Sequence, residues 1–362
     1  MSAAAGKGPA ALVREEILAM RGYHVAPARG MVKLDAMENP YPLPDWLRRK
    51  VGLAVEQAAL NRYPEPDAPA LRRKLRRVMQ VPEGYELLLG NGSDEIIAMI
   101  INAVAAPGAV VMAPTPAFVM YRMSAIIAKA RWVGVPIRPD FSLDDAALSA
   151  AMREHRPAVL FIAYPNNPTG NLFDEAAMER VIREAPGLVV VDEAYQPFAG
   201  RTFMPRLAEF PNLVVVRTLS KLGLAGIRLG YVAGRAEWIR EFDKVRGPYN
   251  INVLTQVVAE TVLDHHEVLD EQAAAIRAER ERLFAECSKL PGVTVFPSAA
   301  NFLMLRVPDA QKVFEGIRAR GVLVKSLHGG IALLDQCVRF TVGTPEENTM
   351  LMKAFRETLA EL

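Results

Sequence analysis

Cysteine is scarce in this chain: among 362 residues there are two, Cys287 and Cys337. They stand far apart and show no CxxC or Cys/His ligand spacing, which argues against a disulfide framework and a zinc site. A reducing cytoplasm is therefore the expected compartment. An excess of charge is also missing. Lys+Arg 43 against Asp+Glu 41 leaves +2, too weak an overall field to draw nucleic acid or a membrane surface, so any anion site must be local. Long apolar runs are absent too. The longest, Ala98 to Pro114, is interrupted by Asn102, Pro107 and Gly108, and a spanning helix needs about 20 apolar residues. Near the N-terminus, Arg14, Glu15 and Glu16 break what a secretion signal would keep apolar. No internal repeat or low-complexity tract is found.

What is present is ordinary globular material, 51% hydrophobic and 23% charged, long enough for about two domains or a large one with an appended smaller one. From about residue 85, short apolar runs alternate with longer amphipathic stretches, the pattern of βαβ units and a mostly parallel buried sheet. The expected strands are 86–90, 109–114, 131–136, 158–165, 188–195, 213–220 and 228–234. Between them, SDEIIAMIINAVA and DEAAMERVIREA carry apolar residues at helical spacing and acids in their first turn. After about residue 256 the texture becomes a long charged helical stretch. Three strand-like runs follow, VTVFP, NFLMLRV and VRFTVG, with a helix between the last two: a smaller α+β unit. The expected division is an arm at 1–44 packing on the small domain or a partner subunit, a large domain at 45–255 and a small one at 256–362.

The suggestive residues fall where open α/β sheets place ligands, in turns that follow strands. Strand 158–165 runs into Asn166-Asn167-Pro168-Thr169-Gly170, a turn made rigid by its prolines with amide donors in a fixed place. Strand 188–195 carries Asp192 and Glu193, and a carboxylate at a buried strand end is costly unless it meets a cation. Strand 213–220 leads to Ser220, Lys221 and then Arg228; a lysine there reads either as surface punctuation or as a buried amine of lowered pKa suited to imine chemistry. Gly90-Asn91-Gly92 opens a helix at Ser93, whose N-terminus can receive a phosphate, although GxG without a third glycine matches neither nucleotide fingerprint.

In order and spacing this constellation resembles the fold-type I pyridoxal-phosphate aminotransferases over nearly the whole chain. The resemblance implies an α/β fold with a seven-stranded, mostly parallel sheet in the large domain and pyridoxal 5'-phosphate as cofactor. By the same resemblance Lys221 is the Schiff-base lysine and proton carrier, and Asp192 pairs with the pyridinium nitrogen. Asn167 and Tyr195 bond the ring's 3' oxygen, and Phe118 stacks on the ring. The phosphate would lie among Gly92, Ser93, Asp94, Ser220 and Arg228. LDAMENPYPLP, NRYPEPD, YPNNPTG, VDEAY and VRFTVGTPEEN resemble one branch in particular, the histidinol-phosphate aminotransferases of histidine biosynthesis. That likeness implies amino transfer from L-histidinol phosphate to 2-oxoglutarate by a cytoplasmic homodimer. Tyr63 would reach the neighbouring subunit's phosphate, and Tyr23, Asn39, Asn167, Lys325 and Arg339 would face the substrate.

Three departures stand out. Phe118 replaces a common Tyr, the stretch from Lys221 to Arg228 is one residue short, and Lys325 stands where many relatives have Arg. Alternatives of the same fold are an aromatic amino acid aminotransferase and, more distantly, a decarboxylase of an amino acid phosphate. A non-catalytic cofactor-binding regulator is of a different class and is disfavoured, since it would tolerate loss of the lysine that is present. LRRKLRR (71–77) and DHHE (264–267) read as solvated helix faces rather than as nucleic-acid or metal sites.

Overall fold

The computed structural model describes residues 8–22 and 26–362. The seven apolar runs form seven strands: β1 (Glu86–Asn91), β2 (Val110–Thr115), β3 (Arg131–Pro136), β4 (Val159–Ala163), β5 (Leu188–Asp192), β6 (Leu213–Thr218) and β7 (Leu229–Gly234). They make one sheet in the order β1-β7-β6-β5-β4-β2-β3. β7 runs antiparallel to both of its neighbours, and the other pairings that do not involve it are parallel.

The central strands are apolar throughout because both faces are covered. Leu160, Ile162, Val189, Val191 and Val215 feed the core on one face. Their sequence neighbours Val159, Phe161, Val190, Val214 and Val216 feed the other, as the period-2 alternation of a strand requires. The strands end earlier than the apolar runs: β4 at Ala163 and β5 at Asp192. Among the residues that spill past the ends are Tyr164, Glu193 and Tyr195, which carry polar groups.

A second sheet of four antiparallel strands lies towards the C-terminus: β8 (Thr294–Val295), β9 (Phe302–Arg306), β10 (Lys325–Ser326) and β11 (Cys337–Thr341), in the order β10-β11-β9-β8. The long helix Glu267–Cys287 and helices Ala310–Ala319 and Pro345–Ala360 supply Ile276, Leu283, Val313, Ile317, Leu351 and Phe355 to its core. The string VGTPEEN is a strand exit followed by a helix start. Thr344 accepts from the Glu347 amide while the Glu347 carboxylate accepts from Thr344, a capping box.

The arm pairs Val32–Lys33 in parallel with Val322–Leu323, and the Leu34 carbonyl accepts from the Thr341 amide at the end of β11. This stitching carries residues 35–38 over the gap between the two sheets. The division expected at 255/256 passes inside helix Val253–Leu263, which packs on helices Asp45–Glu56 and Pro69–Val78. Among the described residues no helix is long and apolar enough to cross a membrane.

Candidate active site

The carboxyl ends of β1, β2, β4, β5 and β6 converge on a cavity of about 730 Å³, bordered opposite them by the arm and by β10 and β11. This is the crevice where open α/β sheets collect ligands. Asp192, Lys221, Asn167, Tyr195, Phe118 and Arg339 all line it, so the amine and the acid that the sequence singled out face the same space.

At one end lies an anion cradle. β1 turns through Gly92, at φ +79°, directly into helix Gly92–Val104, whose first amides have no side-chain cap. Free helical N–H groups and the dipole behind them attract negative charge. Ser93 and Asp94 line the cavity here. Arg228 donates to Ser220 Oγ at 3.3 Å and to Asp94 Oδ2 at 3.3 Å. Its guanidinium lies so close to Gly92 that a Cβ there would come within 2.7 Å of Nη2. Only glycine satisfies both the left-handed backbone and that contact.

The two acids of the VDEAY string have opposite surroundings. Glu193 is buried and meets a cation: Arg217 Nη2 lies 2.8 Å and Nε 2.9 Å from Oε2, with Thr202 and the Phe203 amide also donating. Asp192 is equally buried, and its partners are neutral. Tyr121 donates to Oδ2 at 2.6 Å and the Ala194 amide to Oδ1 at 3.1 Å. Burial pushes the Asp192 carboxyl up to about 6, against those two hydrogen bonds. A buried carboxylate without a protein cation, at the edge of a cavity, fits a ligand that brings its own positive charge.

In the same cavity, burial drives the Lys221 amine down to about 8, helped by the positive charge of Arg339. Its Nζ donates to the Ala36 carbonyl at 3.0 Å. Arg339 donates to Asn167 Oδ1 at 2.7 Å and to the Asp35 carbonyl at 3.0 Å, and Asn167 Nδ2 donates to Tyr195 Oη at 3.1 Å. The arm's carbonyls therefore fix two cations of the site at adjacent residues. A neutralisable amine, an anion cradle, an aromatic wall at Phe118 and a buried acid together suit a flat, phosphate-bearing ring and carbonyl-to-imine chemistry.

The remaining expected residues divide. Lys325 lines the cavity and is exposed. Tyr63 is 80% exposed, outside the cavity, and stacks on Tyr249 at 4.5 Å. Asn39 does not line the cavity. Its amide donates to the Leu222 carbonyl and to Gln272 Oε1, both at 2.9 Å, and its oxygen accepts from the Tyr41 amide. The Asn-Pro turn thus ties the arm to the segment after Lys221 and to the long helix, and its polar atoms are spent there. Tyr23 lies outside the described residues. Sequence reasoning missed Tyr121, Thr218 and the Asp35–Glu38 stretch, all of which line the cavity.

LRRKLRR behaves as a surface helix, with Leu71 and Leu75 buried while Arg72 and Arg76 pair with Glu86. DHHE is not a helix face: Asp264, His265 and His266 form the turn between helices Val253–Leu263 and Glu267–Cys287, where His265 packs edge-on against Trp46. No cluster of metal-ligating side chains occurs among the described residues.

With this geometry in hand, comparison with known proteins is direct. The family model described as aminotransferase class I and II matches residues 29–355. The chain is 59% identical over 355 residues to histidinol-phosphate aminotransferase 1 of Ralstonia nicotianae, covering 97% of this chain and 95% of that one. It is 58% identical over 355 residues to histidinol-phosphate aminotransferase 2 of Cupriavidus pinatubonensis, covering 97% of each. Among solved structures, histidinol-phosphate aminotransferase of Sinorhizobium meliloti in complex with pyridoxal-5'-phosphate superposes with a TM-score of 0.84 at 24% identity. That match covers 96% of this chain and 97% of that one, and at this identity it speaks for the fold.

Proposed function

The chain belongs to the class I and II aminotransferase family, and from that premise we propose that it moves the amino group of L-histidinol phosphate to 2-oxoglutarate, with pyridoxal 5'-phosphate as its resident cofactor. Imidazole acetol phosphate and glutamate are the products. The observation that carries the reading is that Lys221 and Asp192 line one cavity, the amine pushed to about 8 and the acid left without a protein cation. The names of relatives at 58% and 59% identity supply the substrate.

The residues present fit the cofactor. The uncapped helix start at Ser93 and Asp94, Ser220 and Arg228 would hold its phosphate, Phe118 its ring face, Asn167 and Tyr195 its phenolic oxygen, and Asp192 its ring nitrogen. When bound, pyridoxal phosphate supplies an electron sink for the charge that develops at the substrate's Cα. Lys221 Nζ takes that proton and returns it, and an amine near pH 8 has both forms available at neutral pH. The Ala36 carbonyl holds the amine at the cavity. Arg339 receives the anionic end of either amino donor. It is buried, and Asn167 and the Asp35 carbonyl hold its fork in one plane.

A homodimer belongs to this reading. Tyr63 is exposed and stacked on Tyr249, at the surface where a second copy would take it into its own phosphate site. A cytoplasmic setting suits the two buried free thiols.

The purified protein is expected to be yellow, and borohydride should fix the colour covalently. Lys221→Ala should abolish that fixation and lower kcat by about 10⁴-fold or more. A colourless wild type would sink the cofactor assignment. Comparing kcat/KM for histidinol phosphate with that for phenylalanine and tyrosine decides the substrate. If the aromatic acids win, the aromatic aminotransferase reading replaces this one.

A further inference from the structure

We infer that Tyr121 is a positioning residue: its hydroxyl, 2.6 Å from Asp192 Oδ2, holds that carboxylate ionised and turned into the cavity, so that a ring nitrogen opposite it keeps its proton. The inference rests on the cofactor reading above for what Asp192 meets, and on the geometry alone for what Tyr121 does.

Asp192 closes β5 in a buried setting, where two donors fix it from different sides. The Ala194 amide takes Oδ1 and the Tyr121 hydroxyl takes Oδ2. A separation of 2.6 Å is typical of a hydroxyl donating to a charged oxygen. The Tyr121 hydroxyl has little freedom to leave. The residue is fully buried, its ring stacks on Phe161 at 4.7 Å and 12°, and its edge meets Phe118 at 5.7 Å and 87°. One side chain therefore braces both the acid and the aromatic wall of the site. Burial raises the release of Tyr121's own proton well above the ordinary phenol range, so it serves as a donor throughout the working range of pH.

Two acids near Asp192 oppose its ionisation, while the cations Lys221, Arg228 and Arg339 line the same cavity. Asp94 and Glu193 add negative charge on top of burial, while the Tyr121 hydroxyl and the Ala194 amide favour the carboxylate. Without the hydroxyl, one donor remains against burial and two acids. Asp192 then keeps its proton to higher pH, and a proton shared with a ring nitrogen rests more on the carboxylate.

Tyr121→Phe keeps the stacked ring and removes only the donor. On the apoprotein, the Tm deficit of Tyr121→Phe should be small near pH ~4.5 and grow as pH rises through about 6, because only the ionised carboxylate loses a charge-assisted bond. In an Asp192→Asn background the same change should give a deficit that does not vary with pH. On protein loaded with pyridoxal phosphate, the pH midpoint of the visible absorption should rise by roughly half to one unit in Tyr121→Phe. There kcat should fall about tenfold with KM little changed. A Tm deficit flat across pH in the wild-type background, or a loaded-protein midpoint that stays in place, returns Tyr121 to a packing role. Should the protein bind no pyridoxal phosphate, the functional reading fails on that count, while the apoprotein series still decides whether Tyr121 governs Asp192.

Discussion

The inner wall of the cavity and its mouth are built from different kinds of structure. The wall stands on β4, β5 and β6, strands of five and six residues buried on both faces, and its chemistry sits at or just beyond their ends, at Asn167, Asp192, Ser220 and Lys221. The mouth stands on thinner material. Lys33 and Lys325 occupy two-residue strands, and the arm reaches its place through pairing with Val322–Leu323. Groups that must be held to a fraction of an ångström are thus placed by a core that cannot shift without opening voids. On the proposed reading, groups that meet the substrate stand where exchange leaves the fold intact.

The sharpest way to break this comparison is at the wall. Asp192→Asn preserves shape and removes the charge, so on the proposed reading kcat should fall by on the order of 10³-fold. The fold should survive, because the amide oxygen still accepts from the Ala194 N–H while its NH2 donates to the Tyr121 hydroxyl, which turns from donor to acceptor. Burial already holds the carboxyl up at about 6, above its unfolded value. A raised acid favours the folded state below the unfolded pKa, and that advantage is lost as pH climbs through the folded one. Neutralising it should therefore raise the apoprotein's Tm at pH ~8 and change it little at pH ~4. Calorimetry against pH reads this, and an equal drop at both ends would mean that Asp192 is an ordinary packed side chain.

The wall was also the more legible region. The seven strands were readable because each carries a short apolar stretch bounded by turn residues, unbroken in a central strand such as VLFIA. Asp192 stood out because a charge after VVV at a buried strand end demands a reason. Lys221 stood out at the end of the next strand, and Ser220 through its place beside it and the family resemblance. Tyr121 was not, since VMYRMSAII reads as an apolar helix face and the acid it serves lies 71 positions on. The Asp35 and Ala36 carbonyls have no side-chain signature at all. Nor did any local pattern mark Asn39 as a stitch to a glutamine 233 residues away. β10 escaped notice because two residues are too few to show a period, and its place is fixed by pairing with β11 rather than by its own sequence.

Arg339 joins the two regions and should give an intermediate effect. It is 6% exposed and held by Asn167 from the wall and Asp35 from the arm. Arg339→Ala should lower kcat/KM by roughly 10²-fold in both half-reactions, since each amino donor presents an anion to it. Its charge is also the second cause, after burial, of the lowered Lys221 amine. Removing it should move the amine back up from about 8, and the rate at which apoprotein captures pyridoxal phosphate should then need higher pH to reach its plateau. Stopped-flow absorbance across pH checks this. An unchanged midpoint would detach Arg339 from the amine.

Lys325 should give the smallest effect, and of a different kind. It stands directly opposite Arg339 in the antiparallel β10–β11 pair, so the two cations share one face of the sheet, yet Lys325 is exposed where Arg339 is buried. An exposed cation facing a phosphate contributes little and is screened by salt. Lys325→Ala should raise KM for histidinol phosphate by roughly 5-fold at low ionic strength and by less at high salt, with kcat unchanged. Lys325→Arg should lower KM, because a planar fork grips phosphate with two bonds where an ammonium offers a point charge. Steady-state kinetics at two salt concentrations reads both. A fall in kcat on the scale of Asp192→Asn would mean that this two-residue strand belongs to the chemistry as much as the seven-stranded sheet does, and the contrast between wall and mouth would fail.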